Sequence, residues 1–482
     1  MSRKDSSRAV VVGSGPNGLA AAIELARHGL EVEVLEGAST PGGGCRSAAV
    51  TEAGFVHDLC SAVHPLLAES PFFREQPLAS RGVELLIPEV ALAHPLDGGR
   101  VGVVRGSVEQ TAAVLGADDD RYRRLFAWMV RDRDKLVPTL LAPIRTPPKH
   151  PVPAARFAAL GLRSARHLAR RFSSDEARGI VAGVAAHSML ALDQPLTASF
   201  ALLLTTLAHS TGWPLVRGGS SFIVDALVRE LEELGGKVTC GARVDSLSDV
   251  GRADAVLFDV APSALVRITG DALPRRYRRA LERFRNGPGA FKIDYALSEA
   301  VPWKSPECRV AGTVHVGGSF EEVASAEADV AQGRHPDRPF CIVVQASVVD
   351  PSRAPAGRAT LWAYCHVPNG SDIDMTGRIE AQIERFAPGF RQVIMARATR
   401  GPAQLEAENP NDVGGDIAGG SSDLLQTLFR PAVRWNPYRT PLSGVYLCSA
   451  STPPGGGVHG MCGMHAAQTA LADLRRPARG RV

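Results

Sequence analysis

Residues 9–36 read AVVVGSGPNGLAAAIELARHGLEVEVLE, and the rest of the chain is organised around this stretch. Four apolar residues, Ala9 to Val12, have the make-up of a buried strand. Gly13, Gly15 and Gly18 then form a G-x-G-x-x-G turn into a helix that Gly29 stops. A second strand follows, in which charge alternates with Val and Leu up to Glu36. Gly13 permits the tight turn, Gly15 lets backbone approach a pyrophosphate, and Gly18 lets helix and strand pack closely. The helix start offers free N–H groups and the positive end of its dipole to the phosphates. Glu36 stands 21 positions after Gly15, where a carboxylate can accept hydrogen bonds from ribose hydroxyls. Strand, triplet, helix, strand and terminal acid in that order specify a dinucleotide site without choosing the dinucleotide.

Just past the acid lies GASTPGGGCRS, residues 37–47. This second glycine run suits a loop folded back over the pyrophosphate, with Gly42 and Gly43 in it and Arg46 offsetting the charge. Near the other end, a buried strand (GVYLCSA, 444–450) runs through STPPGGGVHGM into a helix from about Gly463 to Leu474. The logic of the opening is repeated there: glycines and a helix start aim N–H groups at an electron-rich ligand.

Between the ends, residues 108–207 have helical periodicity broken by prolines. Residues 237–258 return to an α/β pattern, with strands expected at 237–240, 243–247 and 255–258. A strand with two distinct faces is expected from Ala290 to Leu297, further strands at 341–349 and 359–367, and a helix at 376–386. Lys292 lies on the first of these strands, and a solvent-facing position is the commoner one for such a lysine.

With 482 residues, 45% apolar and 22% charged, the chain has the composition of an ordinary soluble protein with more than one core. The eight cysteines include no C-x-x-C pair, which argues against a disulfide framework, a zinc site and a dithiol reductase, and no metal is expected. Arg121 to Arg171 holds 13 Lys or Arg against two acids, a balance of +11 within a net charge of +4. An anionic membrane surface is one expected partner of residues 121–171, a solvated arginine face being the plainer reading. Nucleic acid is not expected, because no motif of that kind accompanies the charge. The first strand begins soon after Lys4 and Asp5, and the longest near-apolar run, residues 200–208, is far short of a bilayer span. The expected location is cytoplasmic, with peripheral attachment to the inner face of the membrane.

Taken together, the two ends resemble the FAD-dependent phytoene desaturase and flavin amine oxidase superfamily. Within it, the chain is most similar to the bacterial phytoene-desaturase-like branch related to the pyridine nucleotide-disulfide oxidoreductase domain 2 proteins. Residues 9–65, HSMLALDQPL (187–196), GWPLVRGGSSFIVDAL (212–227), GPGAFKIDYALSEAVPW (287–303) and residues 409–468 carry the likeness. The chain differs from the family at Thr452-Pro453-Pro454, where Thr-His-Pro is common, and at His465, where Asn is common.

The resemblance implies an α/β fold. A Rossmann-like FAD-binding domain of the GDP-dissociation-inhibitor type would carry an inserted helical region and an antiparallel-sheet substrate domain. The expected segments are 1–107, 213–270 and 406–482 for FAD binding, 108–212 for the helical insert and 271–405 for the substrate domain. Gly13, Gly15, Gly18, Glu36, Gly42, Gly43 and Arg46 would hold the adenosine and pyrophosphate. Val244 would reach the adenine through its backbone, and Gly457, Val458, Gly460 and Met461 would lie near the isoalloxazine. His459 and Lys292 are the candidate catalytic residues. The implied activity is an FAD-dependent oxidoreductase of the desaturase or dehydrogenase type, taking hydride from C–H bonds of a hydrophobic, lipid- or polyene-like substrate. Two alternatives stand beside it: an oxygen-using flavin amine oxidase, and a non-catalytic lipid- or prenyl-binding protein of the same fold. Oligomeric state is left open.

Overall fold

The computed structural model describes residues 7–143 and 145–475, so Lys4 and Asp5 lie outside the described residues. In chain order the strands of its two main sheets are β1 (Arg8–Val12), β2 (Glu31–Leu35), β3 (Val90–Pro95), β4 (Val101–Arg105), β5 (Lys237–Thr239), β6 (Ala255–Phe258), β7 (Gly289–Leu297), β8 (Ala311–Val316), β9 (Cys341–Val344), β10 (Ala359–Val367), β11 (Ile394–Arg400) and β12 (Val445–Leu447).

The first sheet is parallel throughout, in the order β12-β6-β1-β2-β5. Continuous apolar runs such as Ala9 to Val12 and Ala255 to Phe258 suit it, because helices cover both faces of a parallel sheet. The first helix (Pro16–Arg27) starts on proline, whose missing N–H has no partner in a first turn anyway, and ends where Gly29 turns left-handed at φ 83°. That helix packs backbone to backbone on the C-terminal helix (Met461–Leu474). A β-carbon on Gly463 would fall 1.8 Å from the carbonyl oxygen of Asn17, so only glycine fits there. The first and last segments of the chain thus form one layer.

The second sheet has seven strands in the order β11-β7-β10-β9-β8-β3-β4. It is antiparallel except for the β3–β8 pair. One face carries Phe291, Ile293, Tyr295, Leu361, Ala363 and Val343, and packs into its own apolar core. The other face carries Lys292, Asp294, Trp362, Tyr364 and His366. The alternation along β7 places these two sets on opposite sides.

Several details differ from the sequence expectations. Residues 90–105, expected within the first FAD-binding segment, pair into the second sheet through β3 and β8. The run 341–349 stops being a strand at Val344 and becomes a short helix, Ala346–Val349. Residues 243–246 run as irregular chain into a 3₁₀ segment, Leu247–Val250, and do not pair as a strand. The C-terminal helix begins at Met461, two residues before Gly463.

The helical insert contains Asp119–Arg131, Pro151–Gly161, Asp175–Ala185 and Thr197–Ala208 as its longer helices. Tyr122, Leu125, Phe126 and Met129 face inward at helical spacing. Much of the basic character is neutralised locally. Arg121, Arg123 and Arg124 pair with Asp118, Asp119 and Asp120, Arg133 reaches Glu69, and Arg131 and Lys135 share Asp132. Among the described residues no helix is long and apolar enough to cross a membrane.

Candidate active site

The first glycine turn forms the tight bend its sequence predicts. Gly13 lies at φ 100°, and a β-carbon there would come 2.8 Å from the Asp259 carbonyl oxygen. Glu36 at the end of β2 already accepts the Ser14 N–H at 2.9 Å, the Ser14 hydroxyl at 2.5 Å and, through its second oxygen, the Ala38 N–H at 2.8 Å. The carboxylate is thereby fixed beside the turn. The second glycine run folds back as expected. Gly42 (φ 129°) donates its N–H to Ser14 Oγ at 3.2 Å, and a β-carbon on Gly43 would sit 3.2 Å from Gly15 Cα. Arg46 donates to the carbonyls of Gly43 and Glu408, both at 2.9 Å, and so straps the loop to a segment 362 residues away. Val244 is buried next to Arg243, whose Cα lies against Gly37 just beyond Glu36.

The tail closes on the same place. Gly457 (φ 122°) and Gly460 (φ 67°) take conformations that favour glycine. A β-carbon on Gly460 would meet Phe72 at 2.5 Å, and one on Gly456 would meet the Ala418 carbonyl oxygen at 2.5 Å. Val458 is half-buried, and Met461 opens the C-terminal helix. His459 is buried, with Nε2 3.1 Å from the Gly455 carbonyl oxygen and Nδ1 accepting the Met461 N–H at 3.0 Å. Burial lowers its pKa to about 4, so it is a neutral clamp on the turn with both ring nitrogens in use.

The residues present fit FAD. The first turn of a helix has N–H groups without intrahelical partners. Gly13, Gly15 and Gly43 form a cradle that β-carbons would obstruct.

Facing the loop at 42–65 is the polar side of the second sheet. Lys292 is buried there, 3% exposed, in place of the solvent-facing position expected of it. Its Nζ donates to Asp294 at 2.5 Å and lies 5.5 Å from the centre of the Trp362 ring. Asp294 also accepts from Arg400 at 2.7 Å, Arg400 reaches Glu408 at 2.8 Å, and His57 Nδ1 stands 3.6 Å from Asp294. Burial pulls the Lys292 pKa down while Asp294 opposes that pull, and burial holds His57 at about 4. Trp362, Tyr364 and His366 continue the wall edge to face, at centroid distances of 5.0 and 5.6 Å. His366 Nδ1 is 2.8 and 2.9 Å from the two oxygens of buried Glu327, and its Nε2 is buried with no partner.

A model described as an NAD(P)-binding Rossmann-like domain matches residues 11–74. A crystal structure of an oxidoreductase from Methanosarcina mazei superposes over 96% of this chain and 100% of its own, at a TM-score of 0.64 and 17% identity. Putrescine oxidase bound to putrescine superposes over 98% and 99%, at 0.62 and 19%. The fold is that of the flavin-dependent oxidoreductases. Relatives also agree in sequence along nearly the whole chain. An uncharacterised protein of Mycobacterium tuberculosis is 28% identical over 96% of this chain and 97% of its own. Pyridine nucleotide-disulfide oxidoreductase domain-containing protein 2 of Mus musculus is 24% identical over 97% and 94%. The lycopene-forming phytoene desaturase of Pseudescherichia vulneris is 25% identical over 94% and 96%. The resemblance, the oxidoreductase class and the FAD cofactor expected from the sequence agree with these relatives.

Sequence reasoning reached both glycine turns but missed Asp294, Arg400, Trp362, Tyr364 and the His366–Glu327 pair. Alternation of Lys292, Asp294 and Ala296 marked one face of β7, yet nothing local said that this face is covered. The strand WAYCH offered a comparable signal on β10.

Proposed function

We propose that this protein is an FAD-dependent dehydrogenase that removes hydride from a C–H bond of an uncharged, largely hydrophobic substrate. The observation that carries this reading is the joining of two glycine turns from opposite ends of the chain across from a buried wall of Lys292, Trp362, Tyr364 and His366. Bound FAD would supply the hydride acceptor. Gly13, Gly15, Gly18, Gly42, Gly43 and Arg46 hold its pyrophosphate, Glu36 its ribose and Val244 its adenine side. Gly457, Val458, Gly460 and Met461 line the ring end, and His459 keeps that turn in shape. Trp362 and Tyr364 present apolar ring area to the substrate and exclude water. Lys292, paired with Asp294, orients it. His366 Nε2 is the atom that takes the substrate proton, with Glu327 fixing the Nδ1–H tautomer.

The wall bears on the amine-oxidase alternative. An aromatic ring attracts a substrate ammonium through its face, but Lys292 Nζ already occupies the site over Trp362. A second cation there meets repulsion, which favours a neutral substrate. Anaerobic bleaching of the flavin by a lipid or polyene fraction, with no peroxide release from simple amines, supports the proposal. Bleaching by amines alone refutes it.

The proposal extends to an anionic membrane surface. Arg145 stacks between exposed Phe429 and Trp435, at 5.7 and 5.8 Å, with Val433 and Val152 also exposed nearby in sequence. Aromatic and aliphatic side chains beside basic ones suit the headgroup region of a bilayer. Since Arg121 to Lys135 are ion-paired, residues 145–171 carry this part of the proposal.

A further inference from the structure

Asp259 follows β6 and projects its carboxylate into the first turn of the first helix. Its Oδ2 accepts the Gly18 N–H at 2.8 Å and would lie 2.9 Å from a β-carbon on Gly15 and 3.1 Å from one on Gly18. An acid therefore stands in the space where the glycine motif admits a pyrophosphate. The Gly18 N–H holds the carboxylate in place, and Asn411 fixes the backbone that carries it. Asn411 Nδ2 donates to the Asp259 carbonyl at 2.9 Å, and its Oδ1 accepts the Ala261 N–H at 2.8 Å. Asp259 is 6% exposed and forms no ion pair among the described residues. Resting on the FAD reading above, we propose that Asp259 makes cofactor binding proton-linked: FAD enters the turn only when this carboxyl is neutral.

The physical reason is like-charge repulsion at close range in a poorly solvated site. A neutral carboxyl can still accept the Gly18 N–H through its carbonyl oxygen, so the turn keeps its shape in both states. Burial raises the Asp259 pKa to about 7, with Glu36 adding to the rise, so the proton is already exchangeable near neutrality before any phosphate arrives. The other groups around it are accounted for. Cys448 and Cys462, from β12 and the C-terminal helix, are pushed up by burial, Cys462 to about 11, and stay neutral. Asp412, next to Asn411, is raised by burial to about 8 and feels Arg46. It titrates in the same range and needs its own control.

The linkage has a definite sign. A ligand that binds only the protonated form has a level dissociation constant below the pKa of the free protein. Above that pKa the constant rises tenfold per pH unit, giving about 30-fold weaker binding at pH ~8.5 than at pH ~5.5. The test measures FAD affinity of the full chain, stripped of flavin, by fluorescence quenching between about pH 5.5 and about pH 9. Calorimetry in two buffers of different ionisation enthalpy counts the proton taken up near pH 8. We expect the rise, uptake of about one proton, a flat and tight profile for Asp259→Asn, and the rise retained in Asp412→Asn. A pH-independent affinity in the unaltered chain overturns the proposal even if Asp259→Asn does not fold, as does an Asp259→Asn profile that keeps the slope. Failure of the unaltered chain to bind FAD at any pH refutes the FAD reading itself and is told apart by that.

Discussion

Replacing Asp294 with asparagine tests the buried charge cluster directly. Asp294 is fully buried and lies between Lys292 at 2.5 Å and Arg400 at 2.7 Å, themselves 3% and 7% exposed. Asparagine keeps the volume and removes the charge, leaving two cations in a site with little water. Breaking a buried pair from one side costs about 3–5 kcal/mol, and that is the loss expected at neutral pH. Lys292→Met should cost less, since Asp294 keeps Arg400 and Arg400 keeps Glu408. The double variant should be milder than the sum by more than about 0.5 kcal/mol, because removing Lys292 relieves the uncompensated charge. The Asp294→Asn deficit should also shrink at alkaline pH, where Lys292, its pKa already drawn down by burial, loses its proton. Guanidinium unfolding followed by tryptophan fluorescence reads all four, with Trp362 as a reporter inside the cluster. A loss below about 1 kcal/mol for Asp294→Asn, or strict additivity, would mean that the three charges are not coupled in a buried cluster.

Other perturbations address the rest of the molecule. Gly463→Ala puts a β-carbon 1.8 Å from Asn17 O and 2.9 Å from Ala21 N, all rigid backbone. It should cost upwards of about 3 kcal/mol and impair flavin retention, and an unchanged melting temperature would contradict the packing described. Stability should fall steeply as pH drops from about 6.5 towards 4. His57, His64, His94 and His459 are held at about 4 by burial, so the unfolded chain binds more protons in that window, and acid titration by circular dichroism checks it. Glu327→Gln should slow flavin bleaching by a substrate about 100-fold while leaving FAD affinity unchanged, and stopped-flow and equilibrium binding separate the two effects. Trp435→Ser with Val433→Ser should release the protein from anionic vesicles in co-sedimentation, and undiminished binding would remove that surface from the account.

What could be read in the sequence followed how local each signal is. The turn at Gly13, Gly15 and Gly18 and the acid at Glu36 are fixed by neighbours within a few residues, and the tail turn at Gly457 and Gly460 likewise. The strand at 359–367 and the helix Thr376–Phe386 also formed where periodicity placed them. Burial of Lys292 was not legible, because it depends on Arg400 from β11 and His57 from the cofactor loop, 108 and 235 positions away. The strands at 90–105 were missed for a similar reason: their partner, β8, lies more than 200 residues on. Met189 and Leu196, at φ 56° and 72°, take left-handed conformations that no composition rule assigns to such residues. Both fall in the 187–196 motif, so a family likeness marked the stretch where local propensity did not.

In the proposed function, two glycine turns from opposite ends of the chain form one FAD site. Equilibrium binding of FAD to the full chain at pH ~6 measures it most directly, alongside Glu36→Ala and Gly457→Val. One tightly held flavin per chain is expected, with weakening in both variants, one acting at the ribose end and the other at the ring end. Absence of flavin binding, or loss in Glu36→Ala with none in Gly457→Val, would contradict it.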